Sequence, residues 1–300
     1  MTDHRTDHLD RYAVIGHPIH HSMSPRIHAE FAAQTGQQLS YVAMDVTPEA
    51  LTSRLAQLPN EGFRGVNITV PHKEAAWAYA KAQGRLTERA ALAGAVNTLA
   101  WNKEGLLGDN TDGQGLLNDL QQRHQRTLAG QRILLLGAGG AARGVILPLL
   151  AAQPTALTIA NRSAPRAEGL AALFSPYALS SNAGQTPCHL QGCGLEALAG
   201  LIHAQGPFDV VINATSASLS GEAISLPTGS LTQDAFAYDM MYGKTLTPFL
   251  AAQKAAGVLH LADGLGMLVE QAAVAFALWR GVAPVTAPVY QALRTSLQDK

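Results

Sequence analysis

The sequence predicts an α/β protein with two domains, and three observations support this prediction. The chain has 300 residues, 47% of them hydrophobic and 14% charged, which is enough for two modest domains with a sizeable core. Short apolar runs alternate with longer stretches of helical periodicity, a pattern typical of βα units around a parallel or mixed sheet. The alternation pauses at the polar segment DNTDGQG, residues 109–115, and then starts again, which indicates a second α/β block.

The first block contains three apolar runs of strand length, each followed by a predicted helix. YAVIG (12–16) precedes a helix over 25–34, LSYVAMDV (39–46) precedes one over 48–57, and GVNITV (65–70) precedes one over 73–82. Pro71 ends the third run, and Lys73 follows almost at once. A chain with so few charges thus places a lysine at the end of a buried strand, and this position needs an explanation.

The second block repeats the rhythm. RILLLG (132–137) precedes a helix over 141–150, ALTIA (156–160) precedes one over 165–174, and FDVVINA (208–214) and AFAYDMM (235–241) are further strands. Residues 180–194 have the composition of a loop. We therefore expect a second sheet in this part of the chain.

The C-terminal part contains an Ala-rich helix over 267–279 that is apolar on nearly all sides, so it needs a partner surface. We expect the C-terminal helices to pack back on the first domain. The predicted domains are 1–112, 113–263 and 264–300, with the third segment completing the first and the second inserted between them.

Charge and cysteine usage narrow the class of protein. A net charge of −1, from 21 basic and 22 acidic residues, offers no electrostatic surface for nucleic acid or an anionic membrane. No apolar run reaches the roughly eighteen residues of a membrane span, and the N-terminus lacks an apolar leader. Cys188 and Cys193 lack the further ligands of a zinc site, which favours two free thiols. We expect a soluble protein of the reducing cytoplasm that acts on a small molecule.

A glycine-rich segment follows the first strand of the second block. In RILLLGAGGAARG, Gly137, Gly139 and Ala142 form a G-x-G-x-x-A pattern between a strand and a helix. Such small residues allow a tight turn, close approach of a pyrophosphate to the backbone, and close packing of helix on strand. The context favours dinucleotide binding on a Rossmann-type, doubly wound parallel sheet over a plain glycine-rich turn.

The end of the next strand discriminates between the two nicotinamide dinucleotides. An NAD site has an acidic residue about 20 positions beyond the glycines, whereas this chain has ANRSAPR. Arg162 and Arg166 suit the 2′-phosphate of NADP, and Ser163 suits both a helix N-cap and a phosphate donor. The alternative is that both arginines are solvated residues at a helix start.

Polar residues in the first block suggest a second binding site. Ser24 suits an N-cap with Pro25 in the first helical turn, but capping does not account for Ser22. Asn67 and Thr69 lie two residues apart on a strand, so their side chains point to the same side. Metal binding by the nearby histidines is disfavoured because their spacing matches no known ligand pattern; these are His17, His20, His21 and His28.

Four further polar residues lie beside strand-like segments, and for three of them the spacing leaves a purely structural role open. Asp109 and Asp112 suit turn positions, with Asp112 opening a helix, and Lys73 suits a solvated residue after a strand. The fourth is Asn97, in GAVNTL.

Nine segments, taken together, resemble the shikimate dehydrogenase family in order and from about Tyr12 to the last helix. They are GHPIHHSMSP, NITVPHKE, ERAALAGAVNTL, LLGDNTDGQG, LLLGAGGAARGV, ANRS, VINATSAS, YDMMYGKTLTPFL and DGLGMLVEQAA. The resemblance implies NADPH-dependent reduction of 3-dehydroshikimate to shikimate, in aromatic amino-acid biosynthesis. It leaves assembly as a monomer or a homodimer open.

The resemblance also implies roles for individual residues. The family's catalytic positions fall on Lys73 and Asp112. Its substrate contacts fall on Ser22, Ser24, Asn67, Thr69, Lys73, Asn97, Asp112, Tyr242 and Gln271. Its cofactor contacts fall on Glu88, Gly137, Ala138, Gly139, Gly140, Ala141, Asn161, Arg162, Ser163, Arg166, Met240 and Gly264.

The implied role answers the question that Lys73 raises. Reduction of a ketone adds a hydride to carbon and a proton to oxygen, so the reaction needs a proton donor, and Lys73 with Asp112 would supply one. The chain departs from the family at Ser218, where a glycine usually follows NATS. Two other classes stay open: a quinate/shikimate dehydrogenase that prefers NAD, and a non-catalytic dinucleotide-binding sensor.

Overall fold

The computed structural model describes residues 9–179, 187–215, 217 and 224–298. The chain divides into two compact units. The first unit contains the described residues up to Thr111 together with Ala272–Val289, and the second contains Asp112–Gln271 and the residues from Tyr290 onwards.

This division differs from the predicted domains near the C-terminus, and side-chain contacts explain the difference. The indole of Trp279 donates to the carbonyl of Leu99 at 3.0 Å, which ties this part of the chain to the first unit. Arg294 instead forms an ion pair with Asp263, so the last helix belongs with the second unit from Tyr290 onwards. The third predicted segment is thus divided between the units.

The first unit is built on a six-stranded mixed sheet. Its strands are β1 (Asp10–Gly16), β2 (Leu39–Asp45), β3 (Phe63–Ile68), β4 (Arg85–Leu86), β5 (Thr98–Asn102) and β6 (Gly105–Asp109). Its helices are α1 (Ser24–Thr35), α2 (Leu51–Gln57), α3 (Lys73–Gln83) and α4 (Glu88–Ala93). A contiguous apolar core that includes Ile15, Leu55 and Val66 fills the interior.

The strand order of this sheet brings several chain segments to one edge. The order is β2-β1-β3-β5-β6-β4, with β1 parallel to both β2 and β3, and with β5 antiparallel to β3 and β6. The ends of β1, β3 and β6 and the start of β5 therefore lie together. Asn67 faces Thr98, and Thr98 faces Asp109, in the strand register.

The second unit is built on a six-stranded parallel sheet. Its strands are β7 (Arg132–Leu136), β8 (Ala156–Asn161), β9 (His189–Gly194), β10 (Phe208–Asn213), β11 (Leu231–Asp239) and β12 (His260–Asp263). Its helices are α5 (Asp112–Asn118), α6 (Gly140–Ala151), α7 (Ala164–Leu179), α8 (Leu198–Gln205), α9 (Pro248–Ala255), α10 (Leu265–Arg280) and α11 (Thr286–Gln298), of which the last two belong only in part to this unit. A π-helical turn, Asp119–Arg123, follows α5.

The strand order β12-β11-β10-β7-β8-β9 confirms the predicted doubly wound sheet. Successive strands run outwards from β7 in one direction and from β10 in the other, so the order reverses between these two strands. Ligands of such sheets bind outside the carboxyl ends of the strands at this reversal. Gly137 directly follows β7 and thus lies at that point.

Most predicted elements agree with the structure, and one segment does not. The expected loop over 180–194 is wrong for His189–Gly194, which form β9. Gly192 explains why the pattern misleads: a Cβ there would lie 2.3 Å from the carbonyl carbon of Ala167 in α7, so packing requires glycine within this strand. The first seven residues of that expected loop lie outside the described residues.

Two further findings concern the class of protein. Cys188 and Cys193 are both free thiols, and burial raises the pKa of Cys188 to about 11. Within the part of the chain that the structure describes, no helix combines the length and the apolar character that crossing a bilayer requires.

Candidate active site

Candidate substrate residues of the first unit lie at the edge where β1, β3 and β6 end. Asn67 is the second-to-last residue of β3, and Thr69 follows the strand directly. Lys73 begins α3 immediately beyond, and Asn97 directly precedes β5. The topology therefore brings together residues that are widely spaced in the sequence.

Asn67 is held on both sides of its amide. The hydroxyl of Tyr41 donates to Oδ1 of Asn67 at 2.7 Å. Nδ2 of Asn67 donates to Oγ1 of Thr98 at 3.1 Å and to the carbonyl of Asn97 at 3.3 Å. The side chain is 6% exposed, so its orientation is set by protein partners rather than by water.

A second buried amide fixes the segment that leads to Asp112. Oδ1 of Asn97 accepts from the amide of Thr111 at 2.8 Å and from the hydroxyl of Thr98 at 2.9 Å. Nδ2 of Asn97 donates to the hydroxyl of Thr111 at 2.9 Å. Asp112 follows Thr111 directly and is the first residue of α5, as predicted.

Asp109 is a structural anchor in this unit. Nε of Arg89 donates to one of its oxygens at 2.7 Å and Nη2 to the other at 2.5 Å, and the hydroxyl of Thr87 adds a bond of 2.6 Å. Burial favours a raised pKa for Asp109, but the bonds from Arg89, Thr87 and the amide of Asn110 outweigh it and lower the pKa.

The predicted roles of the two serines at the start of α1 need correction. Ser24 is the first residue of the helix, and the N-cap position falls on Met23, which makes no side-chain capping bond. Oγ of Ser22 accepts from the backbone amide of Ser24 at 3.3 Å. Ser22 therefore supports the helix start, and the expectation that Ser24 is the cap is wrong.

The loop after β1 and the loop after β3 lie against each other. The amide of His17 donates to the carbonyl of Val70 at 3.2 Å, and the amide of Thr69 donates to the carbonyl of Ile15 at 2.9 Å. A Cβ at Gly16 would lie 2.5 Å from Cγ2 of Thr69, so only glycine allows this approach. The position of Thr69 thus depends on the loop that also carries Ser22.

The histidines of this segment are dispersed. Nδ1 of His17 bonds Oδ1 of Asp45 at 2.5 Å, which lowers the pKa of that carboxyl. His20 and His21 contact each other at 3.9 Å between ring centroids, and His28 is fully buried against Tyr41. Among the residues described, no group of three ligating side chains that would hold a metal ion is found.

The glycine-rich turn of the second unit has the geometry of a phosphate cradle. Gly137 has a φ of 107°, which favours glycine, and Gly139 takes the N-cap position of α6. Side-chain atoms added at Gly139 or Gly140 would meet no heavy atom within 4 Å, so the backbone there is open to a ligand. Ala138 and Ala141 flank these glycines, and the amides of the first turn of α6 offer donors.

The basic residues after β8 are exposed. Asn161 ends β8, and its Nδ2 donates to the carbonyl of Ser163 at 3.1 Å, which shapes the turn into α7. Arg162 precedes α7, and Arg166 lies in its first turn. Neither guanidinium forms an ion pair with a carboxylate in the described part of the chain.

The carboxyl ends of β10 and β11 are joined by a buried carboxylate. Asp239 accepts from Nδ2 of Asn213 at 3.1 Å, from the amide of Met241 at 3.0 Å and from the hydroxyl of Thr247 at 2.6 Å. These bonds hold the turn that contains Met240. Neither Asn213 nor Asp239 belongs to the predicted site residues, although a polar residue at the end of an apolar strand is a signal for this role.

Met240 and Gly264 contact each other at this edge. The amide of Met240 donates to the carbonyl of Asn213 at 2.9 Å. A Cβ at Gly264 would lie 2.1 Å from the carbonyl oxygen of Met240, so this approach requires glycine. The two predicted cofactor residues therefore form one surface.

Three family models match this chain. A shikimate dehydrogenase substrate-binding domain matches residues 14–99, a shikimate/quinate 5-dehydrogenase matches 119–220, and a shikimate 5′-dehydrogenase C-terminal domain matches 264–294. An NADP(+) shikimate dehydrogenase of Aromatoleum aromaticum is 54% identical over 96% of this chain and 98% of its own length. The chain belongs to the shikimate dehydrogenase family.

Solved structures share the architecture of this chain. A shikimate 5-dehydrogenase of Thermus thermophilus, crystallised with NADP(H) and shikimate, is 34% identical with a TM-score of 0.80, over 96% of this chain and all of the other. An Ael1 enzyme of Pseudomonas putida is 43% identical with a TM-score of 0.84, over 95% of this chain and 98% of the other. The sequence-based assignment to the shikimate dehydrogenase family is thereby confirmed.

The remaining residues that the family resemblance predicts for the site lie outside the polar edge of the first sheet and outside the glycine-rich turn. Tyr242 is 36% exposed beyond β11, and Nε2 of Gln271 donates to the carbonyl of Leu268 within α10. Glu88, predicted as a cofactor contact, is exposed at the start of α4 in the first unit. Ser218, the departure from the usual family motif, lies outside the described residues.

Proposed function

We propose that this chain reduces 3-dehydroshikimate to shikimate with NADPH, as a step of aromatic amino-acid biosynthesis. The observation that carries the proposal is the presence of two sets of candidate site residues, one in each unit, in a member of this family. One is the polar edge of the first sheet, with Asn67, Thr69, Lys73 and Asn97, and the other is the open glycine turn with Arg162 beside it.

The first unit supplies groups suited to a polyhydroxylated substrate. Ser22, Ser24, Asn67, Thr69 and Asn97 carry hydroxyls and amides, which suit ring hydroxyls and a carboxylate. Asn67 is prearranged by Tyr41 and Thr98, so it loses little side-chain freedom when a substrate binds. We assign Tyr242, Gln271 and Asp112 to the same substrate from the family motifs.

Lys73 is the proposed proton donor in the direction of reduction. An ammonium group donates a proton to the oxygen of the ketone as that oxygen gains charge, and accepts it back when shikimate is oxidised. Asp112 is proposed to act in the same proton transfer and to accept a bond from a substrate hydroxyl. A proton-transfer group of this kind contributes roughly 10² to 10⁴ in rate.

The residues of the second unit fit NADPH. Gly139 and Gly140 leave room for the pyrophosphate at the N-terminus of α6, and Arg162, Ser163 and Arg166 suit a 2′-phosphate. Met240 and Gly264 are assigned to the nicotinamide side from the family motifs, and Glu88 to the cofactor on the same ground. When bound, NADPH supplies the hydride for the carbonyl carbon.

The remaining expectations follow from this activity. We place the enzyme in the cytoplasm, where NADPH is available, and its assembly as a monomer or a homodimer is measurable by light scattering. A dehydrogenase that accepts quinate is the second candidate, because one matching family model covers shikimate and quinate enzymes.

A crossed steady-state assay tests the proposal. The purified chain is mixed with shikimate or quinate, each with NADP or NAD, and formation of the reduced cofactor is followed by absorbance. We expect the highest kcat/KM with shikimate and NADP. Higher efficiency with quinate would favour the second candidate, and no turnover in any combination would contradict both and favour a binding protein.

A further inference from the structure

Tyr41 belongs to β2, away from every motif of the family resemblance, yet it contacts a candidate substrate residue. Its hydroxyl donates to Oδ1 of Asn67 at 2.7 Å, across 26 positions of the chain. Burial raises the pKa of the Tyr41 phenol, and a hydrogen bond with the side chain of Ser24 partly opposes that rise. Tyr41 therefore links two candidate substrate residues.

The hydrogen-bonding partners of Asn67 determine which atom of its side-chain amide is the oxygen and which is the nitrogen. The amide of Thr111 is only a donor, so the atom of Asn97 that it meets is an oxygen. The hydroxyl of Thr98 donates to that oxygen at 2.9 Å, which leaves Thr98 as an acceptor toward Asn67. The carbonyl of Asn97 likewise only accepts.

Both amino hydrogens of Asn67 are thus committed to the protein. One bonds Thr98 and the other bonds the carbonyl of Asn97. Any hydrogen bond that Asn67 makes to a ligand must then be accepted by Oδ1, the atom that Tyr41 holds.

We propose that Tyr41 is a positioning residue that fixes Asn67 as a hydrogen-bond acceptor for one hydroxyl of the substrate. The inference rests on the proposed function, because it takes Asn67 as a substrate contact. It adds a direction to that contact: the substrate hydroxyl donates, and Asn67 accepts.

The surroundings of Tyr41 keep this arrangement uncharged. Burial raises the pKa of Tyr41 well above its usual value, so the phenol keeps its proton. The imidazole of His28 stacks on the phenol at 4.1 Å between centroids, and burial lowers the pKa of His28 to about 3, partly opposed by Asn67. The neutral imidazole of His28 thus holds the phenol in place by stacking and does not compete for its proton.

Tyr41→Phe tests the proposal, because it removes the hydroxyl and keeps the ring. We expect a roughly three- to tenfold rise in KM for shikimate, the loss of one hydrogen bond, with KM for NADP unchanged. Tyr12→Phe is the matched control. Tyr12 is also buried in the first unit, but its hydroxyl interacts with Arg280, so we expect no change in KM for shikimate.

A double-variant cycle with Asn67→Ala separates positioning from stability. In the Asn67→Ala background, Tyr41→Phe should cause no further rise in KM, because the group that it positions is gone. With deoxy analogues of shikimate, each lacking one ring hydroxyl, the Tyr41→Phe effect should vanish for the analogue that is also insensitive to Asn67→Ala.

The KM values of these variants test the role of Tyr41 separately from the proposed role of Asn67 in substrate binding. Asn67→Ala with a normal KM for shikimate would overturn the proposed role of Asn67 itself. A raised KM in Asn67→Ala with a normal KM in Tyr41→Phe would overturn the inference alone. Equal losses from Tyr41→Phe with and without Asn67 would also overturn it, since the hydroxyl would then act elsewhere.

Discussion

Asp109 remains a carboxylate in an almost fully buried position because Arg89 holds it with two charge-assisted hydrogen bonds. The pair secures the end of β6 against α4, and the segment that carries Thr111 and Asp112 begins there. At the scale of single residues, the candidate site thus depends on groups that have no part in the chemistry.

Arg89→Met should destabilise the first unit by about 3 kcal/mol, because it leaves the buried carboxylate of Asp109 without an opposite charge. In the native protein the pKa of Asp109 is lowered, so its stabilising contribution is present above the unfolded pKa and is lost as the pH falls through the folded pKa. In the variant, burial prevails and the pKa of Asp109 rises. The stability difference should therefore be largest near neutral pH and shrink on acidification.

Urea unfolding of both proteins at several pH values measures this difference. Arg85→Met is the control, because Arg85 pairs with Glu104 at an exposed position and such pairs contribute little. A stability difference between Arg89→Met and the native protein that stays constant with pH would show that the charge of Asp109 is irrelevant.

Arg162 gives a second prediction at this scale. Arg162→Ala should raise KM for NADP by roughly ten- to a hundredfold and leave KM for NAD nearly unchanged, because only NADP carries the 2′-phosphate. Lys254→Ala removes the same charge from an exposed position on α9 and should change neither constant. Equal losses with both cofactors would indicate that Arg162 contributes through the fold and not through the phosphate.

At the scale of elements, the close approach of two loops positions Thr69. The loop after β1 passes so near the loop after β3 that a Cβ at Gly16 would lie 2.5 Å from Thr69 and 2.8 Å from Ile19. Sequence periodicity predicts both strands, but it contains no information about how closely the loops beyond them approach.

Gly16→Ala should therefore displace Thr69, raise KM for shikimate and lower the free energy of unfolding by about 1 to 3 kcal/mol. Gly169→Ala in α7 is the control: an added Cβ meets no atom within 4 Å, and alanine in a helix is expected to stabilise by about 0.5 to 1 kcal/mol. Thermal unfolding and steady-state kinetics measure both effects. A normal KM in Gly16→Ala would show that the loops adjust without moving Thr69.

Individual elements show which parts of the fold and of the candidate site the sequence predicts. β7 and β10 are predictable because each is a continuous apolar run. The glycine turn is predictable because its motif has a fixed spacing, so both signals are local in the sequence. β9 is not, because it contains Gly192 where α7 packs closely. Tyr41 and Arg89 are likewise missed, since their partners lie 26 and 20 positions away and meet them only through the sheet topology.

At the scale of the whole molecule, the proposed function gives different tasks to the two units. The first supplies the polar edge and Lys73, and the second supplies the dinucleotide-binding sheet and Asp112. This assignment makes a kinetic prediction: changes to Lys73 should affect turnover and leave cofactor binding intact.

The most direct test of this prediction measures the steady-state kinetics of Lys73→Met, of Asp112→Asn and of the double variant. The dissociation constant of NADP is measured for each by titration calorimetry. Lys81→Met is the control, since Lys81 lies on the same helix and its ammonium group lies over the ring of Trp77 at 4.8 Å. We expect Lys73→Met to lower kcat by at least about 10² with NADP binding unchanged, and Asp112→Asn to lower kcat and weaken shikimate. The double variant should be little worse than the poorer single variant, because groups that act as a unit are not additive. Near-normal turnover in Lys73→Met, or fully multiplicative losses in the double variant, would contradict the account.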